Sequence, residues 1–388
     1  MRYHLICVFF LLSYCSCVQT SNIKSNIIVV DVAKDYPSKD IYLQDIAEVE
    51  YLPLATSDSM LVNDDFGSVS EEGIVIRGAK VGEILLFDRQ GQKLQGRICK
   101  RGQGPEEYNA IIYNIVDWKR KEVFIADYTS MKVYDFSGKY LRTLINTNIM
   151  EMNVCDFNQN YLLCSYNKEG SKEPYYPYFI ISKDNRTIDT LLIEIPRFIA
   201  SNRKIIWDDG HISEAYGDLP QIFHCTDRIW LTNVALDTVF VMHPDQTLEP
   251  VMVPIHLPST NEEAPLLFFH GMNDRYAWIS RIPRHIKIKM SDMAANIERK
   301  EKVYMYDRKA DEWFEPIYYN HDINNHNIHP KFINISAVPY GYGLVQLNAM
   351  DLIEAYNKNQ IADEKLKKIA SKLQEEDNPV LMILKFKN

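Results

Sequence analysis

Three histidines, His321, His326 and His329, crowd the polar stretch HDINNHNIHP, and neutral imidazoles at that density could ligate a transition metal. Their spacing matches no zinc motif, and Pro330 with the neighbouring asparagines marks a loop, so no metal or cofactor is assigned. Glu106 and Glu107 are adjacent carboxylates, but neighbours on a strand point to opposite faces. The stretch around them, Gly102 to Tyr108, has the glycines of a phosphate cradle without its Lys-Ser/Thr ending, and Pro105 and two glutamates oppose an anion. It reads as a turn between structural units. The chain has no Gly-x-Ser-x-Gly elbow and no His-Glu-x-x-His pair, so no catalytic residue is assigned. Carboxylate-pair glycoside chemistry stays open, because its two acids can come from distant parts of a chain.

Recognition has better candidates. Trp207, Tyr216, Tyr318 and Tyr319 lie in or beside long polar segments and could stack on sugar rings or a peptide. Asp208, Asp209, His211 and Arg284 would be their polar partners. The alternative is that these aromatics pack loops onto the scaffold.

The scaffold is read from internal repeats. ILLFDRQGQKL (84 to 94) is repeated 47 residues later as MKVYDFSGKYL (131 to 141), with Asp88 matching Asp135 and Gly91 matching Gly138. YFIISKDNRTI (178 to 188), VFVMHPDQTL (239 to 248) and VYMYDRKADEW (303 to 313) are looser copies. Each copy is two apolar runs around a polar turn, the pattern of an antiparallel hairpin. A further strand-like run precedes each, as in GIVIRG (73 to 78), EVFIADY (122 to 128) and RYAWISRI (275 to 282), and GYGLVQLNA (341 to 349) opens a sixth unit. Runs such as IIYNIVDW (111 to 118), MNVCDF (152 to 157) and LLFFHGM (266 to 272) supply an innermost strand. The sum is an all-β, six-bladed β-propeller of four strands per blade, spanning residues 27 to 388. Ring closure requires the chain ends to share a blade, so IIVVDV (27 to 32) and IAEVEYLPL (46 to 54) are expected to meet the C-terminal VLMILKFK. Residues 350 to 377 break the pattern: Leu352, Ile353 and Tyr356, then Leu366, Ile369, Ala370 and Leu373, recur at helical spacing as an insertion in the last blade.

Residues 1 to 17 carry Arg2, an apolar run and Cys15-Ser16-Cys17, the shape of a signal peptide ending in a lipobox. Cys17, preceded by a small residue, is the expected lipidation site; a plain cleaved signal is the alternative. Residues 18 to 26 would be a tether. Beyond the leader, Cys155 and Cys164 lie in strand-like runs that could pair across a hairpin. A net charge of −9 excludes a phosphate-tracking surface, so nucleic acid is not an expected partner.

Leu43-Gln44-Asp45-Ile46, Val49-Glu50-Tyr51-Leu52-Pro53-Leu54, Gly102-Gln103-Gly104-Pro105-Glu106-Glu107-Tyr108 and Asp377-Asn378-Pro379-Val380-Leu381, in that order, resemble the six-bladed propeller lipoproteins of Bacteroides, which are similar to NHL-repeat propellers. The resemblance implies a cell-envelope protein anchored through its N-terminal lipid and brings no catalytic residues. Surface-exposed lipoproteins of that group often carry acidic residues after the lipidated cysteine. Val18-Gln19-Thr20-Ser21-Asn22 departs from this and favours the periplasmic face over the outer surface.

Inserts at 196 to 222, 254 to 265, 283 to 302, 316 to 334 and 350 to 379 all fall at connections that emerge on one face of such a ring, where inserts usually build a binding surface. The expectation is a non-enzymatic binding or scaffold propeller that engages an envelope protein, peptide or glycan there. The alternative is a carbohydrate-active hydrolase or lyase with channel-lining acids.

Overall fold

The computed structural model describes residues 27–63, 67–146, 152–166, 174–184, 188–195, 203–215, 222–225, 228–233, 236, 238–256, 265–288, 301–324, 330, 333–336 and 338–387. Among them the strands form six blades around a channel, a six-bladed β-propeller. Blade 1 comprises Ser68–Val69, Gly73–Arg77, Glu83–Asp88 and Leu94–Cys99. Blade 2 comprises Tyr113–Asp117, Glu122–Ala126, Ser130–Asp135 and Tyr140–Asn146. Blade 3 comprises Met152–Asp156, Tyr161–Tyr166, Tyr178–Ser182 and Ile188–Thr190. Blade 4 comprises Ile222–His224, Ile229–Leu231, Val239–Met242 and Leu248–Ile255. Blade 5 comprises Leu266–Met272, Tyr276–Ile282, Lys302–Asp307 and Glu312–Tyr319. Blade 6 is built from Tyr342–Leu347 and Val380–Phe386, with Ala47–Pro53 as its outer strand and an Asn334–Leu344 bridge as a vestigial inner strand.

The repeated Asp is a turn device. Asp88 Oδ1 accepts the backbone N–H groups of Gln92 (2.7 Å) and Lys93 (3.1 Å). Asp135 Oδ1 accepts those of Ser137 (2.9 Å) and Lys139 (3.0 Å). In both turns the matched glycine takes a positive φ, 69° at Gly91 and 81° at Gly138, which an L-residue adopts only with strain. At Gly91 a Cβ would also stand 2.7 Å from the Leu52 side chain, because this turn packs on the outer strand of blade 6.

Packing explains why middle strands read as continuous apolar runs. Blades stack face to face, so both faces of a middle strand are covered, as in Glu83–Asp88 and Glu122–Ala126. The outer Ile188–Thr190 is exposed throughout. Each apolar cluster is accordingly a sandwich between neighbours. Phe124, Val133, Leu162 and Ile181 join blades 2 and 3, while Leu52, Ile74, Phe87 and Ile383 join blades 6 and 1.

The N-terminal segment does more than close the ring. Ala47–Pro53 pairs antiparallel with Val380–Phe386, as the requirement for closure predicts. Residues 28–31, by contrast, do not meet the C-terminal strand. They add a fifth, parallel strand to blade 4, from Ile28 opposite Met252 to Asp31 opposite Ile255. Ser38–Tyr42 does the same on blade 5, with Ile41 opposite Tyr318. Parallel pairing needs no hairpin, so the segment can run from blade to blade along the outer edges of blades 4, 5 and 6. Trp313 Nε1 donates to the Val29 carbonyl (2.8 Å), and Tyr36 packs edge-on against Tyr304 at 5.0 Å.

The insertion in blade 6 forms two helices, Ala349–Asn357 and Glu364–Ala370. Asn348 and Asp363 cap them, accepting from Met350 N (2.8 Å) and Leu366 N (2.7 Å). Leu352, Ala355, Leu366 and Ala370 face the core, whereas Tyr356 is exposed. Cys155 and Cys164 do not pair. The register places Cys164 opposite Val154 and Cys155 opposite Leu163, so the two thiols point to opposite faces of blade 3, and both are free.

Leu384 is fully buried in the closing strand. Leu384→Ala is expected to cost about 2–5 kcal/mol in urea unfolding, whereas Leu192→Ala, at an exposed position, changes stability by less than about 0.5 kcal/mol.

Candidate functional site

In each blade the first-to-second and third-to-fourth strand turns lie on one face, and the remaining connections lie on the other. The described inserts all leave from this second face. Two from different blades meet there: Arg203–Trp207 pairs antiparallel with Ile212–Ala215 and parallel with His285–Ile288, which comes from the insert of blade 5. Arg284 begins that contact, its carbonyl accepting the Lys204 N–H at 2.7 Å. Ile205 and Ile286 are buried against each other, with Trp207 packed on them. A second joint on the same face is the Ile323–Ile361 bridge between the blade 5 to blade 6 connection and the helical insertion.

Trp207, Asp208, Asp209, His211 and Arg284 therefore gather on one small sheet. Trp207 is half-buried, and its Nε1 donates to Ser213 Oγ at 2.8 Å. Gly210, at φ 84°, turns the hairpin, and Asp209 Oδ1 accepts the His211 N–H at 2.8 Å. Asp208, Asp209 and His211 are exposed at the tip, and Arg284 is buried at its base. Tyr216 lies outside the described residues, as do His326 and His329. The ring of His321 stacks on Tyr42 at 4.3 Å.

The two tyrosines of blade 5 are separate from this sheet. Tyr318 is a core residue: it is 5% exposed, its hydroxyl accepts from Trp278 Nε1 at 2.9 Å, and burial pushes that hydroxyl's pKa well up. A side chain so placed cannot stack on a ligand, because alternation along the strand turns it inward. Tyr319, next in sequence, turns outward and packs at a tilt on Tyr42 with ring centroids 5.4 Å apart. The Gly102–Tyr108 stretch is the turn from blade 1 to blade 2. Glu107 Oε2 accepts the Gly104 N–H at 2.9 Å, and the buried Tyr108 hydroxyl donates to the Gly82 carbonyl at 2.6 Å.

The channel holds groups that sequence patterns did not flag. A cavity of about 620 Å³ is lined by the inner strands of blades 1 to 4, including Tyr113, Asn114, Asn153 and His224. On its wall Lys183, 1% exposed, bridges Asp117 (2.6 Å) and Asp156 (2.8 Å) across blades 2 and 3. Burial raises the Asp156 carboxyl above its ordinary range despite that ammonium. Residues 333–336 fill the opposite side, where Cys225 Sγ donates to the Ile335 carbonyl at 3.3 Å and Ile333 and Ile335 are buried. Among the described residues no three His, Cys, Asp or Glu side chains converge on a metal-sized site.

With this geometry established, comparison with known proteins places the chain. A family model described as "Domain of unknown function (DUF4934)" matches residues 27–385. The chain belongs to the DUF4934 family. No curated protein matches this DUF4934 chain in sequence. Among solved structures it is similar to a Bacteroides fragilis protein provisionally described as exported, at a TM-score of 0.63 and 15% identity, covering 93% of this chain and 100% of that one. That likeness is one of fold. Virginiamycin B lyase from Staphylococcus aureus matches at a TM-score of only 0.34 and 11% identity, covering 87% and 99% of the two chains. A score that low bears on neither the activity nor the partners of the DUF4934 chain.

His224 and His270 lie on the inner strands of blades 4 and 5, and burial lowers both imidazoles from an ordinary 6.5 to about 4. Between those values the unfolded chain binds more protons than the folded one, so stability falls as pH drops through that window. The melting temperature is expected to decline more steeply from pH 7 to pH 4.5 in the native sequence than in a His224→Gln/His270→Gln double variant, as followed by circular dichroism.

Proposed function

We propose that this protein is a non-enzymatic binding propeller of the bacterial cell envelope, lipid-anchored through Cys17, that engages a peptide, glycan or envelope protein on its insert-built face. The observation that carries this reading is the cross-insert sheet, in which segments from two blades pair to hold Trp207, Asp208, Asp209 and His211 on one exposed hairpin backed by Arg284. Such an arrangement suits recognition: its strands fix the tip, and the tip offers an indole face, two carboxylates and an imidazole. Tyr319, at the end of the outer strand of blade 5, lies where the chain leaves for the same face. The resemblance to Bacteroides propeller lipoproteins and the fold shared with a protein provisionally described as exported support the envelope assignment.

Channel chemistry is the less favoured reading. Acid–base catalysis by two carboxyls needs one free to donate a proton and one free to accept it. Asp117 and Asp156 instead share the Lys183 ammonium, which makes them a tie between blades.

A thermal-shift screen of the full chain against glycans and peptides is expected to find a ligand that raises the melting temperature of the native sequence. The shift should disappear in Trp207→Ala and in Asp208→Asn/His211→Ala. A shift that survives both substitutions, or turnover of a bound saccharide, overturns the reading. For the anchor, Cys17→Ser is expected to move the protein from the membrane to the soluble fraction and to remove acyl chains detected by mass spectrometry; unchanged partitioning refutes lipidation at that residue.

A further inference from the structure

The face opposite the inserts carries a second cleft, of about 420 Å³, between the turns of blades 4 and 5 and the segment that enters blade 6. Three buried polar atoms on its lining, Trp230 Nε1, Asn273 Nδ2 and Arg308 Nε, have no hydrogen-bond partner among the described residues. Trp230 is fully buried and Asn273 is 5% exposed. All three are donors. Asn273 cannot be turned round to hide this, because its Oδ1 already accepts the N–H groups of Arg275 (2.9 Å) and Tyr276 (2.6 Å), which leaves the NH₂ end for the cleft. Buried donors almost always have partners, so three on one cleft point to an acceptor that completes them.

A fourth donor stands at the rim. The Arg228 guanidinium lies 3.8 Å over the ring of Tyr340, which holds it flat, while the Tyr340 hydroxyl donates to Asp274 at 2.9 Å. The lining's acidic groups are already engaged, Asp274 by that hydroxyl and Glu249 by His243 at 3.1 Å. Two guanidiniums and two carboxylates line the cleft, which therefore has little net charge and suits a monoanion better than a dianion. Val241, Met242 and Met272 give it an apolar wall.

We propose that this cleft is a binding site for a small carboxylate-bearing ligand, its carboxylate received by Arg308, Asn273 and Trp230 and its body held between Tyr340 and the apolar wall. A planar, singly charged acceptor suits a cleft that carries unpartnered N–H donors from an arginine, an amide and an indole. The site lies on the opposite face from the insert-built sheet and does not depend on it.

Calorimetric titration of the full chain with D-glucuronate and with N-acetyl-dialanine tests the two sources of such a carboxylate, an acidic sugar and a peptide C-terminus. D-glucose and sulfate serve as the neutral and dianionic controls. At least one carboxylate is expected to bind with a Kd below about 1 mM while both controls fail. Arg308→Gln should weaken binding at least about ten-fold. Asn273→Asp, which keeps the two turn contacts but replaces the free donor with an acceptor, should abolish it, whereas Trp207→Ala should leave it unchanged. No binding of either carboxylate, equal binding of sulfate, or binding undiminished in Arg308→Gln overturns the proposal, the first outcome meaning that the orphan donors hold only water. Retained melting temperatures in both variants separate lost binding from lost folding.

Discussion

Everything in this molecule depends on closing a ring whose last blade is incomplete without the beginning of the chain. Val380–Phe386 is buried on both faces, yet its own half of the chain supplies a neighbour on one side only. Ala47–Pro53 supplies the other, seven residues in antiparallel register from Pro53 opposite Val380 to Ala47 opposite Phe386. Without it, a row of backbone donors and acceptors would stay unpaired at an exposed sheet edge. The same N-terminal segment also lies along blades 4 and 5, so one stretch of chain ties blades 4, 5 and 6 together.

The ring holds because each pair of neighbouring blades shares a core. Apolar sandwiches join blades 1 and 2, 2 and 3, 3 and 4, and 6 and 1, and the largest cluster unites blades 4, 5 and 6 with the helical insertion. Between blades 2 and 3 the contact is also ionic. Lys183 sits between Asp117 and Asp156, while Arg120 from blade 2 grips Asp184 of blade 3 with two hydrogen bonds of 2.6 and 3.1 Å. Removing the buried Lys183 would leave Asp117 and Asp156 facing each other without that counterion, a loss of about 3–5 kcal/mol, far more than a surface pair is worth. The ions therefore fix how these two blades meet, and the apolar sandwiches supply the bulk of the adhesion.

The ring has two unlike faces. One face is raised by inserts that build a sheet of their own; the other carries short turns, the mouth of the channel and a cleft of unpartnered donors. Blade geometry separates them, because alternate connections must emerge on opposite sides. Inserts can accumulate on one side without disturbing the turns on the other, whose Asp and Gly residues are held by backbone geometry.

Much of this was legible in the residues. The Asp-x-x-Gly hairpins at Asp88 and Asp135, the continuous apolar middle strands and the helical spacing after Met350 determine local structure, because each depends on interactions within a few residues. Their repetition determines the blades. What only the tertiary structure decided are contacts between residues far apart in the chain. Ile28–Asp31 reads as a strand in sequence, but nothing in its pattern selects blade 4 over blade 6, since a parallel edge pairing leaves no local mark. Tyr318 and Tyr319 look alike as candidates until the register of Glu312–Tyr319 turns one into the core and the other outward. The pairing of the inserts that gathers Trp207 and Arg284, the meeting of Lys183 with two aspartates, and the sharing of one cleft by Trp230, Asn273 and Arg308 carry no sequence motif. Each is made by strands that the closed ring alone brings side by side.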